Sequence, residues 1–165
     1  MREFARIGKL HTLGSYARGY VLAANLVIDA AIVNPLDMDY LAVPALALYR
    51  QGIELFMKEI IRLRGVPPLT THDLGKLWNL ICPTFENMWS GDSSVHAIEH
   101  VVIRLSKLDD SGQKMRYVKN KEGQPYWDKT EGVDLLTVKE EVGKASEALD
   151  GAVSYLLDMR TTPLD

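Results

Sequence analysis

With 165 residues, nearly half of them apolar, the chain has the material for one domain with a sizeable core. A formal net charge of −3 disfavours non-specific nucleic-acid binding by the surface as a whole, so any such contact needs a local basic patch. The single cysteine, Cys82, excludes an intramolecular disulfide. Residues 1–14 carry charges and no apolar signal core, and the longest apolar run, Tyr20–Val33, is broken by Asn25 and Asp29 and is short for a bilayer. The expectation is a soluble cytoplasmic protein with no membrane partner.

In chain order, Arg6–Val33 predicts a first helix, with Leu22, Ala23, Leu26, Val27, Ala30 and Ala31 at helical spacing and Asn34-Pro35 as its stop. Asp37 or Asp39 suits the cap of a second helix, and Pro44 fits only near its first turns or at a kink. From Ala45 to Arg64 a broad apolar arc is formed by Leu46, Tyr49, Ile53, Phe56, Met57, Ile60 and Leu63. Gly65 ends that helix and Pro67-Pro68 forbid its continuation. Thr70 or Thr71 is expected to cap a short third helix, His72–Ile81, broken at Pro83 and followed by a short segment at Phe85–Trp89. Gly91-Asp92-Ser93 opens a fourth helix to about Leu108.

Ser111–Lys129 changes character: Met115–Val118 and Pro125–Trp127 flank a turn at 119–123 and predict a small β-hairpin. The last helix is marked by Leu135, Val138, Val142, Ala145, Leu149, Ala152, Leu156 and Met159, a narrow seam that packs on another helix within the bundle or across a dimer. The sum is an all-α, up-and-down bundle of four to five helices with a hairpin-like arm before the last, a single domain over 1–165.

One polar stripe interrupts the second helix. Arg50, Glu54 and Lys58 are four apart and share a face, and His72-Asp73-Leu74 follows shortly after the helix ends. Such a stripe is either a solvated face or the wall of a binding site. The pattern Tyr49-Arg50-x-x-Ile53-Glu54-Leu55-x-x-Lys58, then Gly65, then His72-Asp73-Leu74-x-x-Leu77-Trp78 resembles the HEPN superfamily (higher eukaryotes and prokaryotes nucleotide-binding domains). Gly19-Tyr20-x-x-Ala23-Ala24 and Asp39-Tyr40 upstream, and Leu108-Asp109 with Met115-Arg116-Tyr117 downstream, extend the resemblance from about Tyr16 to Met159.

The resemblance implies a helical bundle that dimerises. It also implies an RNA-directed role in toxin–antitoxin, phage-defence or CRISPR systems, as a metal-independent ribonuclease or as a non-catalytic module binding RNA or a partner protein. The family's ribonuclease signature is an arginine followed four to six residues later by a histidine on a late helix. Here only Arg6 and His11 meet that spacing, at the N-terminus; Arg64 lies eight before His72, and His100 precedes Arg104 in the reverse order. A substitute site would gather Arg50, Glu54, Lys58 and His72, with the histidine as general acid or base and the cations facing a phosphate; otherwise His72 simply starts a helix.

Two further features carry chemistry. His96-Ala97-Ile98-Glu99-His100 matches H-x-x-E-H, whose histidines share a helix face and can clamp zinc if a third ligand such as Asp92 joins; nothing else in the chain resembles the zinc peptidases that carry it, and no metal or other cofactor is expected. In the arm, Lys114, Arg116, Lys119, Lys121 and Lys129 alternate with Tyr117, Tyr126 and Trp127. Arg116, Tyr117, Lys119 and Lys121 are candidates for phosphate contact and base stacking, the alternative being aromatics that pack the arm onto the bundle. Cys82, before Pro83 in an apolar setting, reads as structural, and no glycine-rich phosphate loop is present.

The functional expectation is an RNA-directed module, an atypical metal-independent ribonuclease, acting as a homodimer and paired with RNA and with an antitoxin or defence-system protein. A non-catalytic helical interaction module is the alternative.

Overall fold

The computed structural model describes residues 12–67, 69–89, 93–127 and 132–161. They form five α-helices: α1 (Leu13–Val33), α2 (Met38–Leu63), α3 (Leu74–Met88), α4 (Ser93–Leu108) and α5 (Leu135–Thr161), with a 3-10 turn at Pro35–Asp37 between the first two.

Helix α1 starts where Thr12 accepts a hydrogen bond from the Ser15 backbone N–H, so the expected Arg6 start lies outside the described residues. Its buried face is not the one its large side chains suggest. Ala17, Val21, Ala24, Ile28 and Ala31 are inside, whereas Leu22 and Leu26 stand more than half exposed. The reason is close approach. Ala17, Ala24 and Ala31 recur every seven residues, and a Cβ on Gly52 of α2 would come within 2.8 Å of Val21 and 3.2 Å of the Ala17 carbonyl. Small residues on both helices let the backbones meet, and a leucine stripe there would hold them apart. The Tyr49 hydroxyl donates to Asn25 Oδ1 at 2.5 Å across the same crossing, and burial together with the Asp29 charge raises the phenol's pKa. At 21 residues α1 is longer than the apolar run suggests, and by length and composition it is long and apolar enough to cross a membrane; here it lies antiparallel along α2.

The apolar arc of α2 is buried as its periodicity requires, from Leu46 to Leu63. The helix begins at Met38, directly after Asp37, one of the two expected cap residues, and Pro44 sits in its second turn. The carbonyl that Pro44 cannot bond belongs to Tyr40, which is solvent-exposed. Pro83 likewise does not break α3, which runs on to Met88 and absorbs the separate segment expected at Phe85–Trp89. Ile81 and Phe85 on either side of the proline are buried, Trp78, Phe85 and Trp89 stack at centroid spacings of 5.7 and 5.3 Å, and Arg64 donates to the Leu80 carbonyl at 2.8 Å. The cap of α3 is Asp73, which accepts from the Lys76 N–H, while Thr71 steadies Asp73 itself.

The seam of α5 packs against α2 and α4 within the chain, with Leu135, Val138, Val142, Ala145, Leu149 and Ala152 buried; it fades at the C-terminal end, where Leu156 is partly buried and Met159, expected on the same line, is exposed. Asp134 caps this helix. The expected β-hairpin arm is reduced to one antiparallel bridge, Lys119 to Pro125, closed by Asn120 and Gly123, and no strand forms among the described residues. Pro125 has no N–H to donate and Val118 is exposed, so nothing covers a longer ladder.

Candidate functional site

The stripe on α2 is not a solvated face. Arg50 is 3% exposed and Glu54 1%. Glu54 accepts three charged or polar donors: Arg50 Nη1 at 3.1 Å on Oε2, and Lys58 Nζ at 2.8 Å and His72 Nδ1 at 2.9 Å on Oε1. Helix periodicity places Arg50 and Lys58 one turn either side of Glu54. The loop after α2 brings His72 back over the same carboxylate, because Gly65, at φ +73, turns the chain where a side chain would be strained.

Arg50 does more than pair with Glu54. Its Nε donates to the Asp109 carbonyl at 2.9 Å and its Nη2 to the His72 carbonyl at 2.6 Å. Three of its five N–H groups are thus engaged inside the fold, tying α2 to the loop before α3 and to the end of α4. A buried charge is tolerated only with this degree of pairing.

Asp109, which enters the sequence reading only through the Leu108-Asp109 resemblance and with no role of its own, organises the next segment. It is fully buried, and its carboxylate accepts the backbone N–H groups of Gln113 at 3.0 Å and Met115 at 3.2 Å. Gly112, at φ +74, completes the turn. An aspartate followed three residues later by a glycine, directly after a helix, was the available signal. Arg116 emerges from this turn, and its Nε donates to the Gly112 carbonyl at 2.5 Å.

The candidates therefore fall into two sets. Arg50, Glu54, Lys58 and His72 converge as one network, with Arg116 at its border through Gly112. Tyr117, Lys119 and Lys121 extend along the exposed arm away from it. Trp127 packs back, its Nε1 donating to the Lys114 carbonyl at 3.3 Å, but Tyr117 does not, being 57% exposed. Lys129 lies outside the described residues, as does the Arg6–His11 pair.

The H-x-x-E-H match sits on the outer face of α4. His96 faces Glu99 at 3.9 Å, and His100 faces Glu141 of α5 at 3.6 Å, where Arg104 already holds Glu141 at 3.0 Å. No group of three or more residues suited to a metal ion gathers among the described residues, and Asp92 lies outside them. Burial first, then the neighbouring Glu86 carboxylate, raises the Cys82 thiol pKa, which disfavours the nucleophilic thiolate.

Compared with known protein families, curated proteins and solved structures, the chain matches none.

Proposed function

We propose that the chain is an RNA-directed helical module of the HEPN kind, a metal-independent ribonuclease whose general acid–base is His72. The observation that carries this reading is the Glu54–His72 pair. An ionised carboxylate can only accept, so the His72 Nδ1 facing Glu54 bears a proton, and in the neutral ring that leaves Nε2 as the acceptor. The His72 side chain is 51% exposed while its orienting carboxylate is buried, an arrangement that fixes a ring and leaves its reactive nitrogen accessible.

In this scheme the neutral imidazole removes the proton of an RNA 2′-hydroxyl. The alkoxide attacks the adjacent phosphorus, the bond to the 5′-oxygen breaks, and the imidazolium returns its proton to that leaving oxygen. A 2′,3′-cyclic phosphate and a 5′-hydroxyl result. Lys58, beside the same carboxylate and 19% exposed, contributes positive potential toward the phosphate. Arg50, with its N–H groups engaged internally, acts as a positioning residue for the His72 loop and not as a phosphate ligand. Homodimerisation and an antitoxin or defence-system partner belong to the same reading by family resemblance.

The test is cleavage of mixed total RNA and tRNA in EDTA by wild type and His72→Ala. Loss of about a hundredfold or more in the variant supports a general acid–base. An inert, well-folded wild type, or a variant as active as wild type, overturns it. The second reading, a non-catalytic interaction module, is favoured by the burial of Arg50 and by the exposed Leu22 and Leu26 on α1, and inert wild type selects it.

A further inference from the structure

Beside the Arg50 network lies a cleft of about 400 Å³ whose walls include Tyr20, Pro44, Leu48 and Met115, with Arg50 and Arg116. That volume is within the range of small-molecule sites, and the mix of apolar walls with a few convergent polar groups is their usual composition. We propose that this cleft is a binding site for a small organic carboxylate with an apolar body, its head group held by Arg116 against the flank of Arg50.

Three observations support the assignment. First, the two guanidiniums close on one point: a Cβ on Gly112 would lie 2.8 Å from Arg50 Nη1 and 2.9 Å from Arg116 Nη2. The two guanidiniums themselves fill the space over Gly112, so an anion would meet them from the cleft side, where their combined positive charge favours it. Second, the charges are not equally neutralised. Arg50 has Glu54, whereas no carboxylate lies within ion-pair distance of Arg116 among the described residues, and the Asp109 carboxylate nearby is taken up by backbone N–H groups. Third, apart from Gln51 and the backbone-bonded Asp109 the remaining walls are apolar, so a bare inorganic anion would leave most of the cleft unfilled, while a phenylalkyl body would bury it. Planar, bidentate recognition suits a carboxylate on a guanidinium.

The site is separate from the proposed acid–base pair, and its test does not depend on RNA. Amide shifts of isotope-labelled full-length protein are followed on titration with 3-phenylpropionate, its uncharged amide, and inorganic phosphate. Saturable shifts at Gly112, Met115 and Arg116 with the carboxylate are expected. They are expected to weaken about tenfold or more with the amide and in Arg116→Gln, to be partly restored in Arg116→Lys, and to be unchanged in His72→Ala. The absence of saturable shifts at millimolar probe overturns the assignment. So does equal binding of the amide, preference for inorganic phosphate, or undiminished binding by a folded Arg116→Gln protein.

Discussion

Two helices of this protein carry ionisable residues at the same three- and four-residue spacings, and the fold treats them oppositely. On α2, Arg50 and Glu54 are nearly inaccessible and every partner is internal. On α4, His96 is 86% exposed, Glu99 and His100 are more than half exposed, and their contacts are longer. Spacing put each set on one face and said nothing about what would cover it. The difference lies in later chain segments. The His72 loop and the Asp109 turn close over α2, while α4 receives only Glu141 from α5, itself shared with Arg104. A charge stripe becomes a network when distant backbone carbonyls arrive to meet it.

The sharpest way to break this contrast is to empty the buried side. Arg50→Ala leaves Glu54 short of a cation and two carbonyls without a donor, and is expected to cost about 3–5 kcal/mol. Urea unfolding followed by circular dichroism measures it; a loss under about 1 kcal/mol would mean the network is no tighter than a surface ion pair. Arg50→Lys is expected to recover less than half, because one ammonium cannot span both carbonyls and Glu54. Asp109→Ala comes next, at about 2 kcal/mol, since it orphans the N–H groups of Gln113 and Met115. It should also shift the Arg116 backbone amide resonance, an effect that a mere loss of packing at α4 would not produce.

Much of the bundle was legible because it rests on local rules. The arc of α2, the seam of α5 as far as Ala152 and the end of α4 at Leu108 follow from apolar spacing. The α1 face was not, because size ranks leucine above alanine while the crossing with Gly52 ranks them the other way. Pro44 took the place near the first turns that its geometry requires, but Pro83 misled: the carbonyl it frees belongs to Asn79, an exposed residue, and the helix continues through the buried Ile81 and Phe85 on either side. As for the site, the co-facing of Arg50, Glu54 and Lys58 could be read, and the return of His72 to Glu54 was a stated possibility. The roles of Asp109 and Gly112 were legible only in part: their spacing after a helix signals a turn, but a carboxylate bonded only to backbone leaves no side-chain partner in the sequence.

Asp134 offers an intermediate case, an exposed carboxylate with its acceptors filled. The Thr137 backbone N–H first, then the Thr137 hydroxyl, hold it below the usual carboxylate range. A group depressed in the folded state stabilises above its unfolded value and loses that contribution as pH falls through the folded one. Melting temperatures of wild type and Asp134→Ala should therefore differ at neutral pH and converge in acid. A gap that stays constant into acid would assign the effect to helix propensity rather than to the charged cap.

The smallest effect should come from the other end of the comparison. Replacing both His96 and His100 with Ala removes two long, exposed contacts on a helix that alanine favours, so stability is expected to stay within about 0.5 kcal/mol of wild type. RNA cleavage and carboxylate binding should be untouched, since neither proposed site includes α4's outer face. Glu141 keeps Arg104, its nearer partner, so the α4–α5 contact does not lose its ion pair. A loss of stability comparable to Arg50→Ala would show that exposure alone does not separate the two stripes, and that the His100–Glu141–Arg104 group is a second network whose strength its 3.6 Å spacing conceals.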